Sequence, residues 1–191
     1  MRIRTKICGI TSVSDALHAI NAGADAIGLV FYKPSPRYVS PSTAREICNR
    51  LPPFITVVGL FVDATVSEVR DICREVPLAL LQFHGNETVQ ACRLYNKPYM
   101  KAIRMKPELD VAEIAAQYDD ASALLLDAYH PGIKGGSGSK FDWDLIPNNC
   151  SLPVILAGGL HVDNAKKAVQ TVKPYALDVS SGVESSKGIK D

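Results

Sequence analysis

The feature that most limits how this chain can fold is a regular alternation of short apolar segments with helix signals. The apolar segments are rich in β-branched residues and are bounded by turn-forming or charged residues, which predicts strands rather than buried helices. Eight such segments occur, at residues 3–8, 26–31, 55–62, 78–83, 99–104, 123–127, 154–157 and 176–179.

Helix start signals lie between several of these predicted strands. Ser12 and Ser40 occupy positions typical of N-caps, and Pro41 suits the first turn of the helix that would follow Ser40. Thr65 and Glu68 have the spacing of a capping box. Apolar residues then recur at helical spacing, most clearly at positions 66, 69, 72, 73 and 76 and again at 162, 165, 168, 169 and 172.

Alternating strands and helices predict a parallel sheet that is covered on both faces. Because the pattern repeats eight times with no break in composition, we expect one domain over residues 1–191, folded as a closed (βα)₈ or TIM barrel. An open doubly wound sheet is the structural alternative. In a barrel, functional residues lie at the carboxyl ends of the strands, and this rule selects the candidates below.

Composition and charge exclude several classes of function. The formal net charge is +1 and no charged block occurs, so neither nucleic acid nor an anionic membrane is an expected partner. The apolar runs are too short to span a bilayer, and the first residues do not form a secretory signal. Five cysteines without CxxC spacing indicate neither a disulfide framework nor a zinc site, which favours a reducing, cytoplasmic location.

Lys6 and Cys8 are two residues apart at the end of the first strand, so they share one face of it. A nearby ammonium favours the thiolate, which acts as a base or a nucleophile. The alternative is a buried cysteine with a structural role. Strand eight neighbours strand one in a closed barrel, so we expect Asp178 to lie near Lys6 as an orienting partner.

Asp127 ends the very apolar sixth strand. Burial there favours the protonated carboxyl, as a general acid requires. A helix-capping or loop-fixing carboxylate is the alternative. Together, Cys8 and Asp127 would supply one base and one acid.

Two small, polar loops follow strands seven and eight. They contain Gly158 and Gly159 in one case, and Ser180, Ser181 and Gly182 in the other. Backbone N–H groups in such loops bind phosphate, and barrels often bind it at this position, although a tight turn is the simpler interpretation of a lone Gly-Gly pair.

Three further features could take part in binding. Arg37, in a proline-stiffened loop, could clamp a carboxylate or be a solvated surface residue. His84 could donate a hydrogen bond to a ligand or be structural. The irregular segment at residues 128–140 is long enough to predict a functional loop.

Taken together, these residues resemble the phosphoribosylanthranilate isomerase family of tryptophan biosynthesis. The resemblance runs nearly end to end, and the segments at 6–10 and 178–184 are its most specific parts. The segments that carry it are KICGI at 6–10, FYKPSPR at 31–37, VGLFV at 58–62, QFHG at 82–85, LLD at 125–127, GGSG at 135–138, FDW at 141–143, LAGGL at 156–160 and DVSSGVE at 178–184.

The resemblance implies an Amadori rearrangement by general acid–base catalysis, with no metal or organic cofactor. Asp127 would protonate the furanose ring oxygen, and Cys8 would take the proton from sugar C2. Arg37 would hold the anthranilate carboxylate, and His84 would be a further substrate-binding residue. The residues implied to hold the phosphate are Gly158, Gly159, Ser180, Ser181 and Gly182. The expected partner is a small phosphorylated substrate, and the expected state is a monomer or a homodimer.

The chain departs from the family pattern in three places. Phe83 replaces a common leucine and Ser137 a usual threonine, and both changes are mild. The sequence ends at Asp191, soon after strand eight, whereas the family continues into a final helix. We expect that missing helix to leave apolar surface exposed beside strands eight and one and to weaken phosphate binding.

Two other functions remain as alternatives. A neighbouring phosphate-binding barrel, such as indoleglycerol-phosphate synthase, would need a lysine acid and a glutamate at strand ends, and the motifs around Lys6 and Lys101 do not match that pattern. A barrel that binds phosphorylated ligands without turnover is the other, and the presence of both Cys8 and Asp127 argues against it.

Overall fold

The computed structural model describes residues 2–128, 142–147 and 149–191. Eight parallel strands close into a barrel in chain order, which confirms the predicted fold class. The strands are β1 (Arg4–Cys8), β2 (Ala26–Val30), β3 (Thr56–Phe61), β4 (Leu80–Phe83), β5 (Tyr99–Met105), β6 (Ala123–Ala128), β7 (Val154–Leu156) and β8 (Ala176–Val179). Almost all of the predicted functional loop at 128–140, including the GGSG motif and Ser137, lies outside the described residues.

Six α-helices occur in the described ranges. They are α1 (Val13–Asn21), α2 (Pro41–Asn49), α3 (Val66–Glu75), α4 (Val89–Cys92), α5 (Val111–Gln117) and α6 (Val162–Val172). Ser12, Ser40 and Thr65 cap their helices as predicted, and Thr65 and Glu68 form both halves of the capping box. Helices α4 and α5 were not predicted; they are short and are capped by Thr88 and Asp110.

Apolar side chains fill the lower part of the barrel interior, which leaves the polar residues at its carboxyl end. This inner layer consists of Val58, Met100, Ala102, Ala123, Leu125, Ile155, Ala157 and Ala176. A larger apolar cluster packs helices against the outer face of the barrel. Continuing along the same inward faces, the strands present Cys8, His84 and Asp127 at the open end.

Beyond β8 the described chain forms a 3₁₀ turn at Ser181–Val183 and a hairpin of β9 (Glu184–Ser186) and β10 (Ile189–Lys190). The hairpin returns the Lys190 ammonium to the first strand, where it donates to the backbone oxygen of Cys8 at 2.6 Å. None of the helices in the described ranges is long and apolar enough to cross a membrane.

Candidate active site

A pocket opens at the carboxyl end of the barrel and brings the sequence-predicted residues together. Eight of the nine line it: Cys8, Arg37, His84, Asp127, Gly158, Gly159, Ser180 and Ser181. Gly182 does not line the pocket; it packs against the backbone of Leu160, which leaves no room for a Cβ atom. The other lining residues are Val30, Tyr32, Ser35, Leu60, Val62, Gln82, Ala157, Leu160 and Asp178.

Cys8 lies buried at the end of β1, beside a buried ion pair. Lys6 Nζ donates to Asp178 Oδ1 at 2.8 Å across the β1–β8 seam, which confirms the expected proximity of these two residues. Gly28, opposite Cys8 on β2, makes room for this arrangement. A Cβ atom there would lie 2.8 Å from Cys8 Sγ and 3.0 Å from Lys6 Nζ.

Lys6 lowers the pKa of the Cys8 thiol as expected, but the predicted net lowering of that pKa is wrong. Burial raises the pKa of Cys8, and the Lys6 ammonium lowers it by less. The Asp178 carboxylate adds to the rise and at the same time neutralises Lys6. Although burial lowers the pKa of Lys6, Asp178 and Cys8 raise it by more, so Lys6 stays charged. The thiol therefore dominates over the thiolate in the free pocket at neutral pH.

Asp127 is buried at the end of β6, and each of its carboxyl oxygens has a hydrogen-bond partner. Its Oδ1 accepts from the backbone N–H of Ala128 at 2.9 Å, and its Oδ2 lies 3.1 Å from His84 Nε2. Gly158 packs directly against this group with φ +80°, and a Cβ atom there would lie 3.0 Å from Asp127 Oδ1. The carboxyl group is therefore held at Oδ1 by Ala128 and Gly158 and at Oδ2 by His84.

Arg37 is buried and held by an acidic partner that the sequence analysis did not identify. Its Nε and one terminal nitrogen donate to the two oxygens of Glu184, each at 2.7 Å. Lys190 Nζ also donates to Glu184, at 2.8 Å. Burial raises the pKa of Glu184, but hydrogen bonds from Arg37 and Lys190 outweigh burial and lower it. Two cations thus share one carboxylate, which leaves positive charge for an anionic ligand.

The loops after β7 and β8 are fixed by side-chain hydrogen bonds to backbone atoms. Asn164 donates to the Gly159 oxygen at 2.8 Å and accepts from the His161 N–H at 3.0 Å, which ties this loop to the start of α6. Ser180 Oγ donates to the Cys8 oxygen at 3.0 Å. These contacts hold the two small loops side by side next to the catalytic candidates.

Three residues of this site were missed by sequence reasoning. Gln82 is two positions before His84, and the same spacing rule that linked Lys6 with Cys8 could have found it. Glu184 lies inside the DVSSGVE segment, which gave no indication of its contact with Arg37. Lys190 had no local signal, because only the hairpin brings its ammonium to Glu184 and to the Cys8 backbone oxygen.

Sequence comparisons place this chain among known proteins. The family model described as N-(5'phosphoribosyl)anthranilate (PRA) isomerase matches residues 5–191. The N-(5'-phosphoribosyl)anthranilate isomerase of Pseudomonas aeruginosa is 57% identical over 189 residues, covering 99% of this chain and 90% of that protein. The Nitrosococcus oceani protein of the same name is 56% identical, covering 100% and 93%.

Solved structures of phosphoribosyl anthranilate isomerases are also similar to this chain. Phosphoribosyl anthranilate isomerase from Thermotoga maritima superposes with a TM-score of 0.91 at 41% identity, covering 100% of this chain and 93% of that one. A further isomerase structure contains reduced 1-(o-carboxyphenylamino)-1-deoxyribulose 5-phosphate and superposes with a TM-score of 0.88 at 40% identity, with the same coverage.

Proposed function

The chain belongs to the N-(5'-phosphoribosyl)anthranilate isomerase family, and we propose that Cys8 and Asp127 are the base and the acid of the reaction it catalyses. The enzyme converts N-(5-phosphoribosyl)anthranilate into 1-(2-carboxyphenylamino)-1-deoxyribulose 5-phosphate in L-tryptophan biosynthesis. The observation that carries the proposed roles is that both side chains line one buried pocket at the carboxyl end of the barrel.

In the proposed steps the substrate gains two protons, at the ring oxygen and at C1. It loses two protons, from C2 and from the C2 hydroxyl, so the steps balance. Asp127 gives a proton to the furanose ring oxygen, and the C1–oxygen bond breaks to leave a protonated imine. The Cys8 thiolate takes the proton from C2, and the electron pair of that bond forms the enolamine. Tautomerisation then adds a proton at C1 and removes one from the C2 hydroxyl, which gives the ketose. General acid–base catalysis of this kind typically contributes factors of about 10²–10⁴ in rate.

The charge pattern of the pocket supports one orientation of the substrate. Phosphate would lie at Gly158, Gly159, Ser180 and Ser181, with Gly182 supporting that loop. The anthranilate carboxylate would approach Arg37. Glu184 pairs with Arg37, but Lys190 pairs with the same carboxylate, so the three groups together keep a positive charge. An apolar patch suits the aromatic ring, and it consists of Val30, Leu60, Val62 and Tyr32 beside Cys8. His84 contributes through its contact with Asp127.

We further propose the setting in which this enzyme works. Residues 1–191 form one domain that acts in the cytoplasm on a small phosphorylated substrate. It functions as a monomer or a homodimer and does not bind nucleic acid, in keeping with a net charge of +1. Light scattering coupled to size-exclusion chromatography distinguishes the two oligomeric states.

The test is turnover of substrate generated in place, followed by the loss of its fluorescence. Wild-type protein is expected to be active, and Cys8→Ala and Asp127→Asn are each expected to lose at least about 100-fold in kcat. Cys48→Ala is the matched control, because Cys48 is a half-buried cysteine on α2 outside the pocket. Full activity in either Cys8→Ala or Asp127→Asn would remove the role proposed for that residue.

A further inference from the structure

Gln82 is a polar side chain in the barrel interior to which the proposed reaction assigns no task. It is completely buried on β4 and lines the pocket. Its Oε1 has no hydrogen-bond partner among the described residues. A buried oxygen left without a partner destabilises a protein, and an apolar side chain of similar size would avoid that cost. Its presence here suggests a role in the reaction rather than in stability.

Gln82 begins a chain of hydrogen bonds that ends at the proposed acid. Its Nε2 lies 2.9 Å from His84 Nδ1, and His84 Nε2 lies 3.1 Å from Asp127 Oδ2. Neutral imidazole has one donor nitrogen and one acceptor nitrogen. If the Gln82 amide donates to Nδ1, the ring proton is on Nε2 and points at Asp127.

We propose that Gln82 is a positioning residue that holds His84 in this Nε2–H tautomer. The proposal rests on the acid role of Asp127 described above. When Asp127 gives its proton to the sugar ring oxygen, a buried carboxylate is left behind. The N–H of Ala128 already donates to Oδ1, and His84 Nε2–H then donates to Oδ2.

Both hydrogen bonds become stronger as negative charge develops on Asp127, because a charged acceptor binds a donor more tightly than a neutral one. Such a gain is selective for the transition state and therefore raises kcat more than it changes KM. If the Gln82 amide were rotated by half a turn, its oxygen would accept from Nδ1–H. The Nε2 lone pair would then face the new carboxylate and oppose the transfer.

The charged groups around Gln82 and His84 do not fix the His84 tautomer in place of Gln82. Asp178 and Lys6, on β8 and β1, neutralise each other at 2.8 Å, and Cys8 lies beside them. Arg104, on β5, donates to the backbone oxygen of His84 and not to its ring. Among the described residues, Gln82 is the hydrogen-bond partner recorded for His84 Nδ1.

The test combines two Gln82 variants with one control. Gln82→Met removes the amide at similar volume, and Gln82→Glu presents oxygens only, which reverses the polarity at Nδ1. Leu81→Met is the matched control, because Leu81 is also fully buried on β4 but belongs to the apolar cluster outside the barrel. For each protein we would measure kcat, KM, the pH profile, the urea midpoint and the ¹⁵N shifts of His84.

The expected results separate positioning from a structural role. Wild-type His84 should carry its proton on Nε2. Both Gln82 variants should lose about 10- to 100-fold in kcat with KM within about threefold, a loss of the size seen when the partner that orients a metal-bound histidine is removed. Gln82→Glu should also shift the pH profile, because it places a titratable carboxyl group beside His84 Nδ1. Gln82→Met should unfold at an equal or higher urea concentration than wild type, whereas a structural role requires a lower one.

Two outcomes would overturn the proposal: a wild-type His84 with its proton on Nδ1, or a Gln82→Met kcat equal to that of Leu81→Met. Failure of the underlying acid role has a different signature. In that case Asp127→Asn stays active, whatever the tautomer of His84.

Discussion

At the scale of single residues, the proposed chemistry depends on a thiol that its surroundings make hard to ionise. Burial raises the pKa of Cys8, and Lys6 offsets only part of that effect. The proposed base is the thiolate, and its population in the free enzyme grows as the pH rises through a pKa above the ordinary thiol range.

The first prediction concerns this pH dependence. We expect the thiolate form of Cys8 in the free enzyme to increase steadily from pH 7 into the alkaline range, because burial raises the pKa of this thiol. Thiolate absorbance in wild type minus that in Cys8→Ala should rise over the same range. A difference in thiolate absorbance that is already constant between pH 7 and 9 would contradict the raised pKa of Cys8.

The second prediction concerns the glycine that touches Asp127. Gly158→Ala should lower kcat at least about tenfold, because the added Cβ would push against Asp127 and the Ala128 backbone. Gly23→Ala should cost about 1–2 kcal/mol in the free energy of unfolding, because its φ is positive. Gly158→Ala should cost more, because its Cβ would also overlap the Ala128 backbone nitrogen.

Gly23 is the matched control because no atom lies within 4 Å of a Cβ placed there. Urea unfolding and kcat of the two variants separate backbone strain from contact with the acid. Equal activity in both would show that the close approach of Gly158 does not position Asp127.

At the scale of elements, another buried ion pair fixes the loop that follows β4. Lys101, on β5, donates to Glu87 and to the Gly85 oxygen, each at 2.8 Å. Glu87 also accepts from the backbone N–H groups of Asp63 and Gly85. The loop immediately after His84 is therefore held by β5 and by the loop after β3.

The third prediction is that Lys101→Met lowers the free energy of unfolding by about 3 kcal/mol, because it leaves the Glu87 carboxylate buried without its cation. Lys101→Met combined with Glu87→Gln should cost less, since no buried charge remains. Lys166→Met, on the exposed face of α6, should stay within about 0.5 kcal/mol of wild type. Equal losses in the Lys101 and Lys166 variants would rule out a structural role for the buried pair.

The elements themselves could be predicted from the sequence to different degrees. All eight strands follow from local apolar runs, and the ends of β8 agree with the prediction. Helices α1, α2 and α3 follow from their N-caps. Helices α4 and α5 also begin at N-caps, but with four and seven residues they are too short to show a helical apolar stripe. Without such a stripe, the caps alone did not predict these helices.

At the scale of the whole molecule, barrel closure creates the contacts that complete the site. The predicted meeting of Lys6 with Asp178 followed from topology alone, since β8 must lie beside β1. The pairing of Arg37 with Glu184 could not be predicted, because no rule of spacing or strand order brings the loop after β2 to the segment after β8. The net pKa of Cys8 also required the structure, because it depends on burial as well as on charge.

The fourth prediction uses this long-range pair. The folded-state pKa of Glu184 is lowered below its ordinary 4.5, so the pair stabilises the fold fully above that pH and loses its contribution as the pH falls through the lower folded value. The free energy of unfolding of wild type should therefore fall between about pH 5 and pH 3. In Glu184→Gln this fall should be smaller, as measured by urea unfolding at each pH. The same slope in both proteins would contradict the lowered pKa.

The central claim is that Cys8 removes the C2 proton of the substrate. Single-turnover rates with substrate carrying deuterium or hydrogen at C2 test it most directly, in wild type and in Cys8→Ser. We predict that deuterium slows the wild-type reaction and that Cys8→Ser is much slower with either substrate. A Cys8→Ser enzyme as fast as wild type, with the same isotope effect, would contradict the claim by showing that another group takes the proton.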